Sequence, residues 1–321
     1  MSHELEMVDG EAQMAYAGTE PWHRLGTKVS NDLTPVQMQE AAGLDWEVGK
    51  YTLAAEFNGK RVKSDKMALI RKSDGKILDT VGKEWNPVQN SEAFEFFSEF
   101  VLAGDMEMHT AGSLRGGQMV WALAKVKESF TVNGDDRVES FLLFSNPHQY
   151  GKSIDVRFTP IRVVCNNTLS FALKGRAGYK TGHRTVFNPE EVKETLGIAS
   201  EKFAKYKELA EFLSSKKFSV DSLLDYYANV FPRTSGKKVT ENVKREDLSR
   251  NAELAHSLLE KQPGAEYAPG SWWQAFNSVT YLTDHLHGRN EDNRLYSNWF
   301  GGNQNRKVEA MKKAIEFAEA S

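Results

Sequence analysis

The sequence contains one cysteine, Cys165, among 321 residues. An internal disulfide and a cysteine-rich zinc site are therefore excluded. Its apolar neighbours Val163 and Val164 favour a buried thiol over a nucleophile, which needs an electropositive and accessible site. No apolar run approaches the roughly 18 residues of a membrane-spanning helix. The acidic N-terminus lacks the basic and apolar regions of a signal peptide, so we expect a cytoplasmic protein without membrane contact.

The common catalytic motifs are also missing. There is no P-loop, dinucleotide fingerprint, G-x-S-x-G elbow or HExxH helix. His285 and His287 stand two residues apart, which places them on different sides of a helix. Asp135 and Asp136 fall in a predicted turn. We therefore predict no catalytic residues, no metal and no cofactor, and we favour a binding function over an enzymatic one.

Charge is unevenly distributed along the chain. The net charge is −3, yet residues 151–188 hold seven basic side chains and a single acid, Asp155, so this basic stretch carries +6 and the remainder −9. Such a local excess indicates a surface that binds anions, whereas the acidic remainder limits unspecific association. A solvated loop without a ligand is the alternative explanation.

Hydrophobic periodicity predicts an α+β fold. Trp46 to Val81 reads as a three-stranded antiparallel meander, with Asn58-Gly59 as a two-residue hairpin turn. Thr34 and Gly43 match the start and the stop of a short helix. A helix with a phenylalanine face follows the meander, and further strands continue to about residue 164.

The C-terminal part has the period of helices. Asn188 and Pro189 match the start of a long amphipathic helix, and further helical patterns recur to the end of the chain. A run of strands followed by a run of helices is typical of α+β proteins. We therefore predict a β-rich α+β domain of antiparallel strands and packed helices with an N-terminal arm over residues 1–187, and an all-helical domain over residues 188–321.

Within the basic stretch, a strand over residues 152–164 carries Arg157 and Arg162. An odd spacing places these two side chains on opposite faces, unless a bulge at Pro160 brings them together. Pro160 also indicates an edge position, because proline cannot donate to a sheet. A helix is expected to begin at Asn166 or Asn167, whose amides and adjacent free backbone N–H groups would favour phosphate.

Beyond that helix, basic and aromatic side chains alternate in a predicted glycine-containing loop. Arg176, Lys180 and Arg184 recur every four residues, with Tyr179 and His183 between them. Cations with interleaved rings are typical of a single-stranded nucleic-acid track, in which charges bind phosphates and rings stack on bases. The candidate nucleic-acid-binding residues are Arg157, Arg162, Asn166, Asn167, Lys174, Arg176, Tyr179, Lys180, His183 and Arg184.

Several motifs together resemble one protein family. They are WHRLGTKV, VGKEWNPVQNSEAFEFF, TAGSLRGGQMVWALAKV, PIRVVCNNTLSFAL and WWQAFNSVTYLTDH, and they span nearly the whole chain. They are similar to the phage/plasmid-like proteins grouped as a domain of unknown function. The resemblance implies a mobile genetic element in a bacterial host and supplies no catalytic residue. Phage and plasmid proteins of this size and β-then-α layout include single-strand annealing proteins similar to the Rad52/Redβ group, which is an analogy at the level of the fold.

These observations predict a non-enzymatic protein that binds single-stranded DNA as a homo-oligomer and promotes annealing in recombination or replication. The alternative is an interaction or structural protein of a mobile element that binds a host or phage protein without nucleic acid. Its contact surface would be the aromatic helix that contains Trp272, Trp273, Phe276 and Tyr281. A metal-assisted nuclease is a third hypothesis, which the lack of a carboxylate or histidine cluster disfavours.

Overall fold

The structure, a computed structural model, describes residues 4–21, 24–162, 167–168, 178–183, 189–234, 242–288 and 294–321. The predicted α+β class is confirmed, since strands dominate the N-terminal half and helices the C-terminal part. The strands are β1 (Met7–Val8), β2 (Glu11–Ala12), β3 (Met14–Ala17), β4 (Thr27–Val29), β5 (Val48–Phe57), β6 (Lys60–Arg71), β7 (Ile77–Val81), β8 (Met106–Leu114), β9 (Met119–Val132), β10 (Asp136–Pro147), β11 (Ser153–Arg162), β12 (Asn167–Thr168) and β13 (Gly178–Gly182). The helices are α1 (Pro35–Ala41), α2 (Asn90–Leu102), α3 (Pro189–Ser215), α4 (Val220–Val230), α5 (Arg250–Ser257), α6 (Trp272–Tyr281), α7 (Arg294–Phe300) and α8 (Gly302–Glu319), with a π-helical turn at Leu282–Leu286.

The largest sheet has eight strands in the order β12-β11-β10-β9-β8-β3-β4, and β13 also pairs with β11. Strands β8 and β9 form an antiparallel hairpin, whose register joins Met106 to Val126 and Leu114 to Met119. Strand β3 pairs antiparallel with β8 and parallel with β4. The sequence pattern does not predict β3, because a four-residue strand with every side chain buried shows no alternation, and β4 has only three residues.

The predicted three-stranded meander is present as a separate sheet in the order β5-β6-β7. Asn58 and Gly59 form the predicted turn with φ angles of 49° and 70°, which matches a hairpin turn that needs positive φ at both positions. Strand β7 pairs only with Met67–Ile70 of β6. Past β7, the hairpin therefore continues with no third strand among the described residues.

Contacts divide the chain into two compact units that are not contiguous in sequence. The first comprises Met1–Lys127, Phe141–Phe158 and Ala172–Ile198, and the second comprises Glu128–Ser140, Thr159–Phe171 and Ala199–Ser321. These units describe packing, so the predicted boundary between domains at residues 187 and 188 stays a prediction about independent folding.

In the first unit, α1 and α2 bring apolar faces to one core with the strands. Thr34 caps α1 and Gln37 completes a capping box with it, as the sequence predicted for the start of this helix. Phe94 and Phe97 of α2 are buried in a cluster that also contains Leu69 of β6 and Phe144 of β10. The phenylalanine face therefore joins the two sheets to a common core.

In the second unit, the core is built by the aromatic side chains of the helices. Trp272, Trp273 and Phe276 of α6 are 0%, 1% and 1% exposed. After α6 the helix widens into the π-helical turn, where Asp284 accepts a hydrogen bond from Lys307 of α8 at 2.5 Å. Both side chains of this ion pair are buried, at 3% and 0% exposure. None of the described helices is long and apolar enough to cross a bilayer.

Candidate nucleic-acid interface

The described part of the basic stretch forms strands at the end of the eight-stranded sheet. Strand β13 pairs antiparallel with the first half of β11, from Ser153 opposite Gly182 to Arg157 opposite Gly178. Strand β12 pairs with its last two residues, Ile161 and Arg162. The sheet therefore ends in a three-strand arrangement that contains the described candidate residues except His183, which directly follows β13.

Arg157 is engaged within this arrangement. Its Nε lies 2.8 Å from Oδ1 of Asp155, and a second guanidinium nitrogen contacts Oδ2. Arg157 is 12% exposed at its side chain and Asp155 8%. Asp155 and Arg157 are two residues apart and therefore share one face of the strand. The only acid of the basic stretch thus neutralises Arg157. The expected role of Arg157 as a free phosphate contact is corrected to that of an ion-paired residue of β11.

His183 is also engaged, because it is only 3% exposed. Its ring stacks on Trp85 at a centroid distance of 4.1 Å, and Nδ1 lies 3.0 Å from the carbonyl oxygen of Asn86. Burial is the main cause that lowers the pKa of His183. The expectation that this ring stacks on bases is corrected, since the ring instead fixes the end of β13 to the segment before α2.

The structure corrects two expectations about local conformation. Asn167 lies in β12, opposite Arg162, so it does not begin a helix or offer free helical N–H groups. Lys180 lies in β13, opposite Asp155, where a glycine-containing loop was expected.

The other candidates cannot be placed as side chains. Asn166, Lys174, Arg176 and Arg184 lie outside the described residues. For four further candidates the structure describes the backbone alone: Arg162 in β11, Asn167 in β12, and Tyr179 and Lys180 in β13.

Pro160 lies at a gap in the pairing along the outer edge of β11. Strand β13 ends opposite Arg157, and β12 begins opposite Ile161. Among the described residues, those from Phe158 to Pro160 have no partner strand on that edge. Strand β11 has β10 on one side and β12 and β13 on the other, and residues 163–166 and 169–177 are not described, so the edge position of Pro160 stays a prediction.

A second group of polar side chains is buried around His148. Its Nε2 lies 2.9 Å from Oδ1 of Asn90, and the Asn90 amide nitrogen donates to the carbonyl oxygens of Leu44 and Trp46. Because that amide nitrogen is a donor, Oδ1 accepts the proton of Nε2, and we assign His148 as the neutral Nε2–H tautomer. Burial lowers the pKa of His148 to about 3. The ring is fully buried and joins the end of β10 to α2.

Within the described ranges, no group of three His, Cys, Asp or Glu side chains is arranged to bind a metal ion. His148 and His183 are held by hydrogen bonds to an amide oxygen and a carbonyl oxygen. Both side chains serve the packing of the first unit.

The contact surface suggested for the alternative function is also corrected. Trp272, Trp273 and Phe276 lie in the core of the second unit, and the Trp273 indole donates to Asp136 at 2.8 Å. Helical spacing of large apolar side chains is first a packing signal. These three rings are therefore unavailable to a partner.

The sequence interpretation overlooked a second basic element. The tip of the β5–β6 hairpin, residues 52–66, extends past β7, and we call it the β5–β6 arm. Its exposed cations are Lys60, Arg61, Lys63 and Lys66. The sequence does contain a signal for it, because polar residues at both odd and even positions of a strand indicate that both of its faces are in solvent.

Comparison with known proteins identifies one family. A family model described as Domain of unknown function (DUF932) matches residues 77–310. The searches of curated proteins and of solved structures return no significant match.

Proposed function

Because the chain belongs to the family described as Domain of unknown function (DUF932), which names no activity, we propose a function from its residues. The protein is a non-enzymatic, phage- or plasmid-type protein that binds single-stranded DNA and promotes the annealing of complementary strands. One observation carries the proposal: the +6 charge of residues 151–188 in a chain of net charge −3.

Electrostatics gives the physical reason for a nucleic-acid ligand. Each cation that neutralises a phosphate releases a counterion, so a concentrated positive segment binds a polyanion even when the whole chain is acidic. After the ion pair of Arg157 with Asp155 is discounted, the cations assigned to phosphates are Arg162, Lys174, Arg176, Lys180 and Arg184.

The aromatic part of the proposed track is reduced to one residue. Tyr179 stands beside Lys180 in β13, whereas His183 is buried against Trp85. A tyrosine ring that stacks on a base contributes about 1–3 kcal/mol, regardless of the base. Sequence-tolerant stacking suits annealing, in which any complementary pair of strands must be accepted.

The sheet arrangement supports the proposal in one further respect. The basic strands lie at the end of the eight-stranded sheet, beyond which no further strand is paired among the described residues. A homo-oligomer that places these ends side by side would form a continuous track for a strand longer than one subunit covers. We therefore propose that the active form is a homo-oligomer.

Fluorescence anisotropy with a labelled single-stranded oligonucleotide tests the proposal. Replacing Lys174, Arg176 and Arg184 with alanine should reduce the slope of log affinity against log salt by about 2, since each phosphate contact on a single strand contributes roughly 0.7. Tyr179→Ala should weaken binding without changing that slope. The rate at which complementary labelled strands anneal should fall in the same order.

A control variant removes the same charge elsewhere. Lys205, Lys207 and Lys312 are exposed lysines of α3 and α8, at 63%, 50% and 51% side-chain exposure. Their combined replacement with alanine should leave the salt slope unchanged. Absence of binding by the wild type at low salt, or equal loss in both triple variants, would contradict the proposal.

A further inference from the structure

The β5–β6 arm is a two-stranded ribbon with solvent on both faces. Strands β5 and β6 pair from Ala54 opposite Lys63 to Phe57 opposite Lys60, and the Asn58-Gly59 turn closes the tip. The pairing of β7 ends at Met67. From Thr52 to Asn58 the arm extends roughly 20 Å, at about 3.3 Å per residue.

The arm carries a concentration of unneutralised positive charge. The exposed side chains of Lys60, Arg61, Lys63 and Lys66 form no ion pair with any residue that the structure describes. The arm also contains two exposed acids, Glu56 and Asp65, and Glu56 is the cross-strand neighbour of Arg61. The arm therefore has a net charge of +2, in a chain whose total is −3.

The two faces of the ribbon differ in chemistry. Directly opposed residues share a face and successive pairs alternate. Phe57 with Lys60 and Ala55 with Val62 therefore lie on one face, and Arg61 and Lys63 lie on the other. Phe57 is 67% exposed and Val62 52%. Burying a side chain of this size stabilises a protein or a complex by about 1.5–3 kcal/mol. Exposed in the free hairpin, these two side chains do not contribute this stabilisation.

We propose that the β5–β6 arm binds duplex nucleic acid by entering a groove. The major groove, about 12 Å wide, admits a two-stranded β-ribbon. Its two walls are phosphate backbones, and cations on both faces of a ribbon can reach both walls. The exposed ring of Phe57, beside the turn, makes the apolar contact with base edges at the floor of the groove.

Charge on both faces favours a duplex over a single strand. A single strand presents one backbone, which cations on one face would satisfy. The inference rests on the proposed nucleic-acid function and adds to it a second binding element, separate from residues 151–188. In annealing, this element would bind the product while the basic stretch binds the reactant strands.

The test measures binding of a labelled 20-base-pair duplex by the full-length protein at several salt concentrations, by fluorescence anisotropy. Replacing Lys60, Arg61 and Lys63 with alanine should weaken duplex binding at least tenfold. The slope of log affinity against log salt should fall by between about 2 and 3, because each phosphate contact on duplex DNA contributes roughly 0.9. Phe57→Ala should weaken binding without changing the slope, since it removes no charge.

The control is the triple alanine variant of Lys205, Lys207 and Lys312, which removes equal charge from exposed helical positions and should retain wild-type duplex affinity and slope. All the arm substitutions are at exposed side chains, so the urea midpoint of each variant should match the wild type. Phe57→Leu should restore most of the affinity that Phe57→Ala loses.

The outcomes distinguish a failure of the inference about the arm from a failure of the proposed function. Duplex binding that depends on the arm supports the inference, even if single-stranded DNA is not bound and the proposed function fails. The inference is overturned if the wild type binds single strands but no duplex, or if the arm variant binds duplex as tightly as the wild type. It is also overturned if sedimentation velocity shows that the arm substitutions dissociate an oligomer while duplex affinity is unchanged.

Discussion

Lowering the pH from 7.5 to 5.0 should weaken the fold through the buried histidine His148. In the folded protein burial lowers its pKa to about 3, against about 6.5 for an exposed histidine. Between these values the unfolded chain binds a proton that the folded chain excludes. The contribution to the free energy of unfolding is therefore complete above pH 6.5 and is lost as the pH falls towards 3.

The magnitude follows from the difference in pKa. One pH unit below the unfolded pKa costs about 1.4 kcal/mol, so at pH 5.0 the loss due to His148 is about 2 kcal/mol. The positive charge of Arg71, and a proton on His183, also lower the pKa of His148. Near pH 3 the loss approaches about 5 kcal/mol, a large part of the stability of a typical domain.

Urea unfolding of the wild type and of His148→Gln, at pH 7.5 and 5.0, isolates this contribution. Glutamine retains an N–H donor for Asn90 but does not titrate. The variant should be less stable than the wild type at pH 7.5, and the difference should shrink by about 2 kcal/mol at pH 5.0. Groups that do not interact with His148, such as Asp74 with its pKa lowered to about 2 by Arg71, change both proteins equally and cancel. A difference that does not vary with pH would refute the assignment of a neutral buried imidazole.

Two further predictions concern stability. Lys307→Met should lower the free energy of unfolding by about 3–5 kcal/mol, because it removes the cation that pairs with the buried carboxylate of Asp284. Urea unfolding should show that adding Asp284→Leu to this variant recovers much of the loss. A small effect of Lys307→Met alone would contradict a buried ion pair. Gly43→Ala should cost about 1–2 kcal/mol, since Gly43 has a φ of 67° and L-residues are strained there. Gly82→Ala, at a position with open space and no positive φ, is the matched control and should leave the thermal midpoint nearly unchanged.

Local rules explain the parts of the fold that the sequence predicts well. The Asn58-Gly59 turn and the Thr34 cap each depend on the chemistry of a few adjacent residues, and both are present. The phenylalanine face of α2 follows from helical spacing alone. These features require no knowledge of distant parts of the chain.

The basic stretch was harder to predict because its conformation depends on partners far away in sequence. His183 is buried by Trp85 and Asn86, which lie almost 100 residues earlier. The four-residue spacing of the basic residues around Lys180 does not indicate that this segment pairs with β11. Charge could be read from the sequence, whereas exposure could not: Arg157 counts as a cation by composition but is neutralised by Asp155 in the fold.

For the β5–β6 arm, the local structure was predicted correctly but its exposure was not. Its turn and its strands were predicted, yet the exposure of both of its faces depends on where β7 ends. Asn133-Gly134 and Asn58-Gly59 are similar turns by sequence, but β9 and β10 continue into a large sheet while the arm does not. The short length of β7 therefore determines that the β5–β6 hairpin extends beyond its sheet.

The limits of the family match also bear on what forms a stable unit. The match begins at Ile77, the first residue of β7, and thus leaves out β5 and β6. It ends at Ala310, in the middle of α8. A fragment cut at these limits would lose Leu69 and Trp46 from the cluster around Phe94, and would leave β7 without its partner strand. In this chain, the sequence that matches the family therefore depends on flanking segments for its hydrophobic core.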